Sequence, residues 1–294
     1  MNLSQLRTFM TVVESGSFSE AARVLGISQP AVTMQVQSLE EDLGVRLLDR
    51  RYRRVDLTEA GHVLLEGAHN IFHEVDVARS AVEELGGTVG GELRIAASTT
   101  PGDYVLPGGF GAFLEKYPNV KLELTVVDSS EVERLVEAAQ ANIGVVGFEG
   151  KARVTYTPIE GDEIVLIVPP ADRLAKAGPV SFKGLGDRSW VMRERGSGTR
   201  AVVETALRDA GLDVESLDVA LELGSGEAVI GAVEGGLGIA LISRLVAQIS
   251  IDLGTVKTVE LKKRILRPFY LVTPQRTLTR AAAAFADHML GAER

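Results

Sequence analysis

The stretch from Phe18 to Leu48 constrains this chain more than any other. It reads as two short helices joined by a tight turn. Ala21, Ala22 and Leu25 share one face of the first helix, and small alanines there let a second helix approach closely. Gly26 follows, where a helix stops and φ can turn positive. Ile27 is expected to plug the turn. Ser28 is a good N-cap, and Pro30 falls in the first turn, where its missing N–H costs nothing. The apolar face resumes at Val32, Val36 and Leu39 and closes at Leu43, leaving Gln29, Thr33, Gln35 and Gln37 off it. This is the anatomy of a helix-turn-helix, whose second helix enters the major groove with its N-terminal residues at base edges. Gln29, Pro30 and Thr33 are therefore expected at bases, where glutamine can pair with adenine through N6 and N7. Ser28, Gln35 and Ser38 are expected at phosphates.

Leu3, Leu6, Phe9, Met10 and Val13 predict a preceding helix with one apolar stripe. After Gly44, Arg46–Leu48 and Arg54–Leu57 can pair as a small wing. Arg50, Arg51 and Arg53 lie at its tip, and with Arg54 they would reach the flanking minor groove or backbone. The whole chain carries a net charge of −9, which argues against non-specific coating of nucleic acid. Duplex binding depends on the local field, and this arginine cluster beside a reading helix is a phosphate clamp.

A long helix from about Glu59 to Leu85, capped by Thr58, comes next. Its apolar positions are Leu64, Ala68, Ile71, Val75, Ala78, Val82 and Leu85, in alternating steps of four and three. That is a heptad seam, the mark of a helix pairing with a second copy, parallel or antiparallel. Gly86, Gly87, Gly90 and Gly91 then predict a hinge.

Residues 92–294 alternate strands and helices, which predicts an open α/β sheet. The strands fall near 92–97, 120–126, 143–148, 163–168, 190–193, 219–223, 238–242 and 269–273. Helices fall near 107–117, 130–141, 199–210, 225–233 and 278–290. Pro169-Pro170 and Arg267-Pro268 suggest crossings between two lobes, one of about 92–167 plus 269–294 and one of about 168–268. In open α/β sheets ligands bind beyond the carboxyl ends of strands, at helix starts. Ser98, Thr99 and Thr100 occupy such a place, as do Gly196, Ser197, Gly198 and Thr199, and Ser225. Together they predict a small anion site between the lobes, fed by hydroxyls, backbone N–H groups and an arginine.

The residues Ala21-Ala22, Leu25, Ser28-Gln29-Pro30-Ala31-Val32, Gln35, Leu39-Glu40, Leu43-Gly44, Leu47, Arg50, Arg54, Leu57-Thr58 and Ala60-Gly61 resemble the signature of LysR-type transcriptional regulators. The resemblance implies an N-terminal all-α winged helix-turn-helix over residues 1–58, a dimerisation linker helix over 59–86 and a hinge over 87–91. It further implies a two-lobed effector-binding domain over 92–294, similar to periplasmic binding proteins. Its implied partners are promoter DNA, a second copy in a homodimer or homotetramer, RNA polymerase and a small effector. The segments around Ser98–Thr100, Arg193–Arg200 and Leu221–Ala228 resemble the CysL-like branch, tied to sulfur and cysteine metabolism. Arg195 stands where proline is common in that branch, and it either adds to the anion field or faces solvent.

Other function classes are constrained in turn. The sequence has no cysteine, which rules out disulfides, thiolate metal sites and a cysteine nucleophile and fits a reducing cytoplasm. No signal peptide or membrane-spanning run is evident. His69 and His73 stand four apart on one helix, but no third metal ligand accompanies them, and they are expected to face solvent. No cofactor is expected. A solute-binding protein would need an export signal and no DNA-reading head. An α/β enzyme would need a nucleophile or acid–base pair in the cleft, and Asp103, Glu149 and Glu227 have no spacing that singles them out.

Overall fold

The computed structural model describes residues 1–49, 55–86 and 88–291. The chain divides into two units, Met1–Arg79 and Ser80–Arg294. The first opens with α1 (Leu3–Ser15), α2 (Phe18–Leu25) and α3 (Gln29–Leu43). Each start is capped by a side chain that the sequence supplies: Asn2 with Gln5 in a reciprocal capping box, Ser17, and Ser28. Each stop is a glycine in the left-handed region. Phe9, Val12, Ala21, Ala22, Val32, Val36 and Leu39 fill the centre. Full burial of each large side chain contributes roughly 1.5–3 kcal/mol. Ile27 departs from expectation: it lies exposed in the turn, as Leu43 does at the end of α3. The alanines already seal the helix crossing, so no plug is required.

The wing is a two-residue pair, β1 (Leu48–Asp49) against β2 (Asp56–Leu57), with Leu48 opposite Leu57. Glu40 reaches from α3 to accept the Leu47 amide at 2.8 Å, which fixes the wing to the reading helix. The arginines Arg50, Arg51, Arg53 and Arg54 lie outside the described residues.

The long helix α4 spans Glu59–Leu85. Thr58 caps it by accepting the Gly61 amide at 3.0 Å. Along the heptad seam Ala68 is buried, whereas Ile71, Ala78, Val82 and Leu85 are exposed in the single chain. The expectation of solvent-facing histidines is corrected: His69 and His73 are buried, on a face adjoining the seam. Among the described residues no group of metal-ligating side chains gathers around them or elsewhere.

The second unit begins with β3 (Gly90–Ser98), and two of the expected hinge glycines belong to it. Gly90 and Gly91 pair with Asn119 and Val120, and a Cβ on Gly90 would stand 3.1 Å from that of Asn119. Glycine here serves close strand approach rather than flexibility. A π-helix (Pro101–Val105) runs into α5 (Leu106–Lys116), followed by β4 (Asn119–Val127), α6 (Ser129–Glu137) and β5 (Ile143–Val146). Next come β6 (Val154–Val168), β7 (Trp190–Arg193), α7 (Gly198–Asp209), β8 (Val219–Leu223) and α8 (Gly226–Glu234). The chain closes with β9 (Ala240–Ser243), α9 (Arg244–Leu253), β10 (Lys257–Val259), β11 (Ile265–Pro274) and α10 (Arg280–Met289).

One sheet orders its strands β10-β6-β11-β5-β3-β4, with β9 also on β6, while β7 and β8 form a separate parallel pair. β3, β4 and β5 are parallel; β6 and β11 run antiparallel along most of their lengths. These two strands serve both lobes. Ile159 and Phe269 pack in one core with Leu93, Phe113 and Phe285; Ile164, Leu166 and Ile265 pack in another with Trp190 and Leu207. The first crossing therefore comes at Glu160–Glu163 and not at Pro169-Pro170 as expected. Prolines mark turns, but a strand with apolar residues on both sides of Gly161 continues straight from one core into the next. No helix among the described residues is long and apolar enough to cross a membrane.

Candidate functional site

In the first unit, the start of α3 presents Gln29 and Pro30 to solvent, with Thr33 half-buried one turn on. The Gln29 amide nitrogen donates to the Thr33 hydroxyl at 3.3 Å, and that hydroxyl donates to the Gln29 carbonyl at 3.1 Å. The Ser28 hydroxyl accepts from the Ala31 amide. Gln35 and Ser38 have an architectural duty: Gln35 accepts from Thr8 at 2.5 Å, and Gln5 donates to Ser38 at 3.1 Å, so both tie α3 to α1.

In the second unit, a small cavity of about 20 Å³ lies where the two lobes face each other. That is roughly the space of one water. One lobe lines it with Ser98, Thr99 and Thr100 after β3, and with Asp128 and Ser129 after β4. The other contributes Arg193 and Glu194 after β7, and Ser197, Gly198 and Thr199 at the start of α7. Arg267, on the crossing strand β11, completes it. Gly196 and Ser225, expected at this site, do not line it. Gly196 turns the chain into α7 with φ +96°, and the Ser225 hydroxyl accepts from the Ala228 amide, capping α8. Arg195 is well exposed, beside Glu215, which settles the alternative left open by the sequence.

Three helix starts converge here, each with the positive end of its dipole, although Pro101 brings no N–H and Asp128 takes first-turn amides of α6. Thr100 and Ser197 hold N-cap positions, yet neither hydroxyl caps its helix. Gly198 lets α7 close over the cavity, since a Cβ there would sit 3.0 Å from Ser129 Oγ. Ser129 Oγ and Arg267 Nε are buried and have no hydrogen-bond partner among the described residues.

The arginines are already engaged. Arg193 makes a two-point pair with Glu194 at 2.7 and 2.8 Å. Arg267 pairs with Asp162 at 3.1 Å, both nearly inaccessible, and donates to Thr199 at 3.1 Å. Burial pushes the Arg267 guanidinium below its usual range, and Asp162 draws it back up. Asp128 caps α6 through one carboxylate oxygen, accepting from the Glu131 amide at 2.8 Å and the Ser130 hydroxyl at 2.6 Å. The Ser130 hydroxyl foremost, with the Glu131 and Ser130 amides, holds its carboxyl below the usual range against the opposing effect of burial. Arg200 anchors the first turn of α7 by donating to the Arg193 carbonyl at 2.8 Å and pairing with Glu204 and Glu222.

Sequence reasoning missed Asp128, Ser129 and Arg267, while Arg193 and Glu194 lay in the expected segment 193–200 without being singled out. Asp128 and Ser129 follow a strand end, the same signal that found the rest. Arg267 carried no such signal, because it lies within a crossing strand. A larger groove of about 560 Å³ runs between Phe148, Phe182, α7 and Leu266, sharing only Arg267 with the small cavity. No α-helix begins at it, so the convergence of donors favours the smaller site.

Two family profiles match the chain: "Bacterial regulatory helix-turn-helix protein, lysR family" over residues 3–62, and "LysR substrate binding domain" over residues 86–294. A probable RuBisCO transcriptional regulator of Cyanidioschyzon merolae is 36% identical, covering 98% of this chain and 97% of its own. Among solved structures, full-length CbnR complexed with its target DNA shares 26% identity and a TM-score of 0.70, covering 100% of both chains. The regulatory domain of CcmR from Synechocystis, in complex with 2-PG, shares 26% identity and a TM-score of 0.63 over 69% of this chain and 97% of that one. The chain belongs to the LysR family of DNA-binding transcriptional regulators, with a helix-turn-helix head and a two-lobed effector-binding domain.

Proposed function

We propose that this regulator reads its promoter through Gln29, Pro30 and Thr33 and senses a small anionic metabolite in the cavity between its lobes. One observation carries the sensing half: both lobes aim helix starts and uncapped hydroxyls at one small cavity, with two buried arginines in its wall. Arg50, Arg51, Arg53 and Arg54 supply the phosphate clamp, with Ser28, Gln35 and Ser38 contributing at the helix itself. Residues 59–86 pair two copies, so the operator is a pseudo-palindrome, and dimers join as tetramers. The protein acts in the cytoplasm, where its promoter lies and where polymerase is met. Ligand entry changes the lobes' relative geometry and thereby the spacing of the heads.

Two effector chemistries have support. Resemblance of the cavity segments to the sulfur and cysteine branch favours a sulfur oxyanion. Similarity to RuBisCO regulators, and to a domain that holds 2-PG, favours a phosphorylated carboxylic acid such as 2-phosphoglycolate. Thermal shift of the full chain with sulfate, thiosulfate, phosphate, 2-phosphoglycolate and simple carboxylates, followed by footprinting on its own promoter, tests the reading. Stabilisation with a changed footprint is expected. No stabilisation by any of them, and no preference for promoter over scrambled duplex, would overturn it.

A further inference from the structure

The charge around the cavity does not favour an anion on its own. Arg193 is matched by Glu194, and Arg267 by Asp162, each pair in direct contact. Asp128 then adds a carboxylate that pairs with no cation among the described residues, and it lines the cavity itself. The surplus side-chain charge of this group is negative. Attraction must come from hydrogen bonds: the free hydroxyls of Thr100 and Ser197, the unmatched Ser129 Oγ and the remaining amides of the helix starts.

Such a wall discriminates between anions by their protons. The Ser130 hydroxyl and the Glu131 amide donate to the same Asp128 oxygen and the Ser130 amide also contacts the carboxylate, whose remaining lone pairs can only accept. The low-lying carboxyl keeps it ionised at neutral pH, so it cannot donate. A fully deprotonated oxyanion brings only lone pairs and would set oxygen against oxygen there, both charged and desolvated. A ligand that carries an O–H or N–H would satisfy that acceptor while its own oxygens take the hydroxyls and amides.

Resting on the sensing role proposed above, we infer that the effector of this site is an anion or zwitterion bearing its own hydrogen-bond donor, and that Asp128 rejects donor-free oxyanions. The class comprises hydrogen phosphate, hydroxy acids and amino acids; sulfate lies outside it, so the inference sets aside the sulfur-oxyanion chemistry named above. Asp128 is thus a specificity-determining residue.

The test is thermal shift and calorimetric titration of the full chain at neutral pH and matched ionic strength. The probes are sulfate, inorganic phosphate, glycerate and serine, with wild type and Asp128→Asn. Asparagine still caps α6 but can turn an N–H toward the ligand. Wild type is expected to bind at least one donor-bearing probe and to bind sulfate more weakly by about tenfold or more. Asp128→Asn, with an unchanged circular dichroism spectrum, is expected to narrow or invert that ratio. Equal binding of sulfate and phosphate by wild type, or an unchanged ratio in the variant, overturns the inference while leaving an anion sensor in place. Binding of none of the four probes by wild type also overturns the inference, and the sensing role itself falls only if thiosulfate, 2-phosphoglycolate and simple carboxylates are silent as well.

Discussion

The phenolic hydroxyl of Tyr104, in the π-helix of one lobe, donates to the carboxylate of Glu227, at the start of α8 in the other. The bond spans the cleft a few residues beyond Thr100. A π-helix is a rare element, frequent at functional places, and here it projects a side chain from one lobe onto its neighbour.

Removing that bond gives a pH-dependent loss. The Tyr104 hydroxyl foremost holds the Glu227 carboxyl below its usual range. A depressed carboxyl contributes stability above its unfolded value, and the contribution fades as pH falls through the folded one. Tyr104→Phe is therefore expected to cost about 1 kcal/mol near neutral pH, reduced by partial exposure, and almost nothing once the carboxyl is protonated in both states. Urea unfolding of the effector-binding domain at neutral and acid pH measures it; an equal loss at both would refute the assignment.

The pair of Arg267 and Asp162 responds differently. Both are nearly inaccessible, so truncating one leaves the other charged and buried. Arg267→Ala is expected to destabilise the domain by about 3–5 kcal/mol, and Asp162→Asn by less, since the amide can still accept from the guanidinium. Thermal unfolding of each variant decides, and a loss under about 1 kcal/mol for Arg267→Ala would remove the pair from the account.

Gly61, in the first turn of α4, admits no side chain. A Cβ there would lie 2.2 Å from the Leu47 carbonyl oxygen, a backbone atom that cannot swing aside. Gly61→Ala is expected to push α4 off the wing, costing about 1–3 kcal/mol and weakening promoter binding. The checks are melting temperature and a gel shift. Wild-type values for both would show that the contact relaxes freely.

At the reading helix, Gln29→Ala is expected to cost roughly 1–3 kcal/mol on the native operator and to relax preference at one base position. Arg50→Ala with Arg53→Ala should instead weaken all sequences alike and reduce the salt slope by about two units. Binding isotherms at several salt concentrations separate the two. A Gln29 variant with unaltered preference would move base reading elsewhere.

Much of this architecture was legible because local chemistry and tertiary need agree. Gly26 ends α2, and Ser28 and Gly44 bound α3, as their side chains, or lack of them, require, and β7 and β8 fall on the residues whose apolar runs predicted them. The misses have physical causes. α9 (RLVAQISIDL) is rich in β-branched residues, which weakens a helical reading, and only the Ser243 cap marks its start. The first half of β6 carries Thr, Pro, Glu and Gly, so its apolar pattern is thin; it is strand because β11 pairs with it residue for residue. The π-helix has no compositional sign. Arg267 was expected at a lobe crossing but not in the cavity, because its reach to Thr199 and Asp162 is a relation of segments distant in sequence.

The shared strands β6 and β11 have a mechanical consequence. They pair from Ile265 with Ile164 to Pro274 with Val154, slipping register between Arg267 and Phe269, where Gly161 lies against the Arg267 carbonyl. A hydrogen-bonded ribbon resists flexing within its own plane and yields to torsion. Spin-label distances between positions on α5 and α7, taken with and without effector, would register which occurs. The lobes are thus joined by a two-stranded ribbon whose register breaks beside Arg267, and a ligand drawing on that side chain is expected to twist the ribbon rather than hinge it.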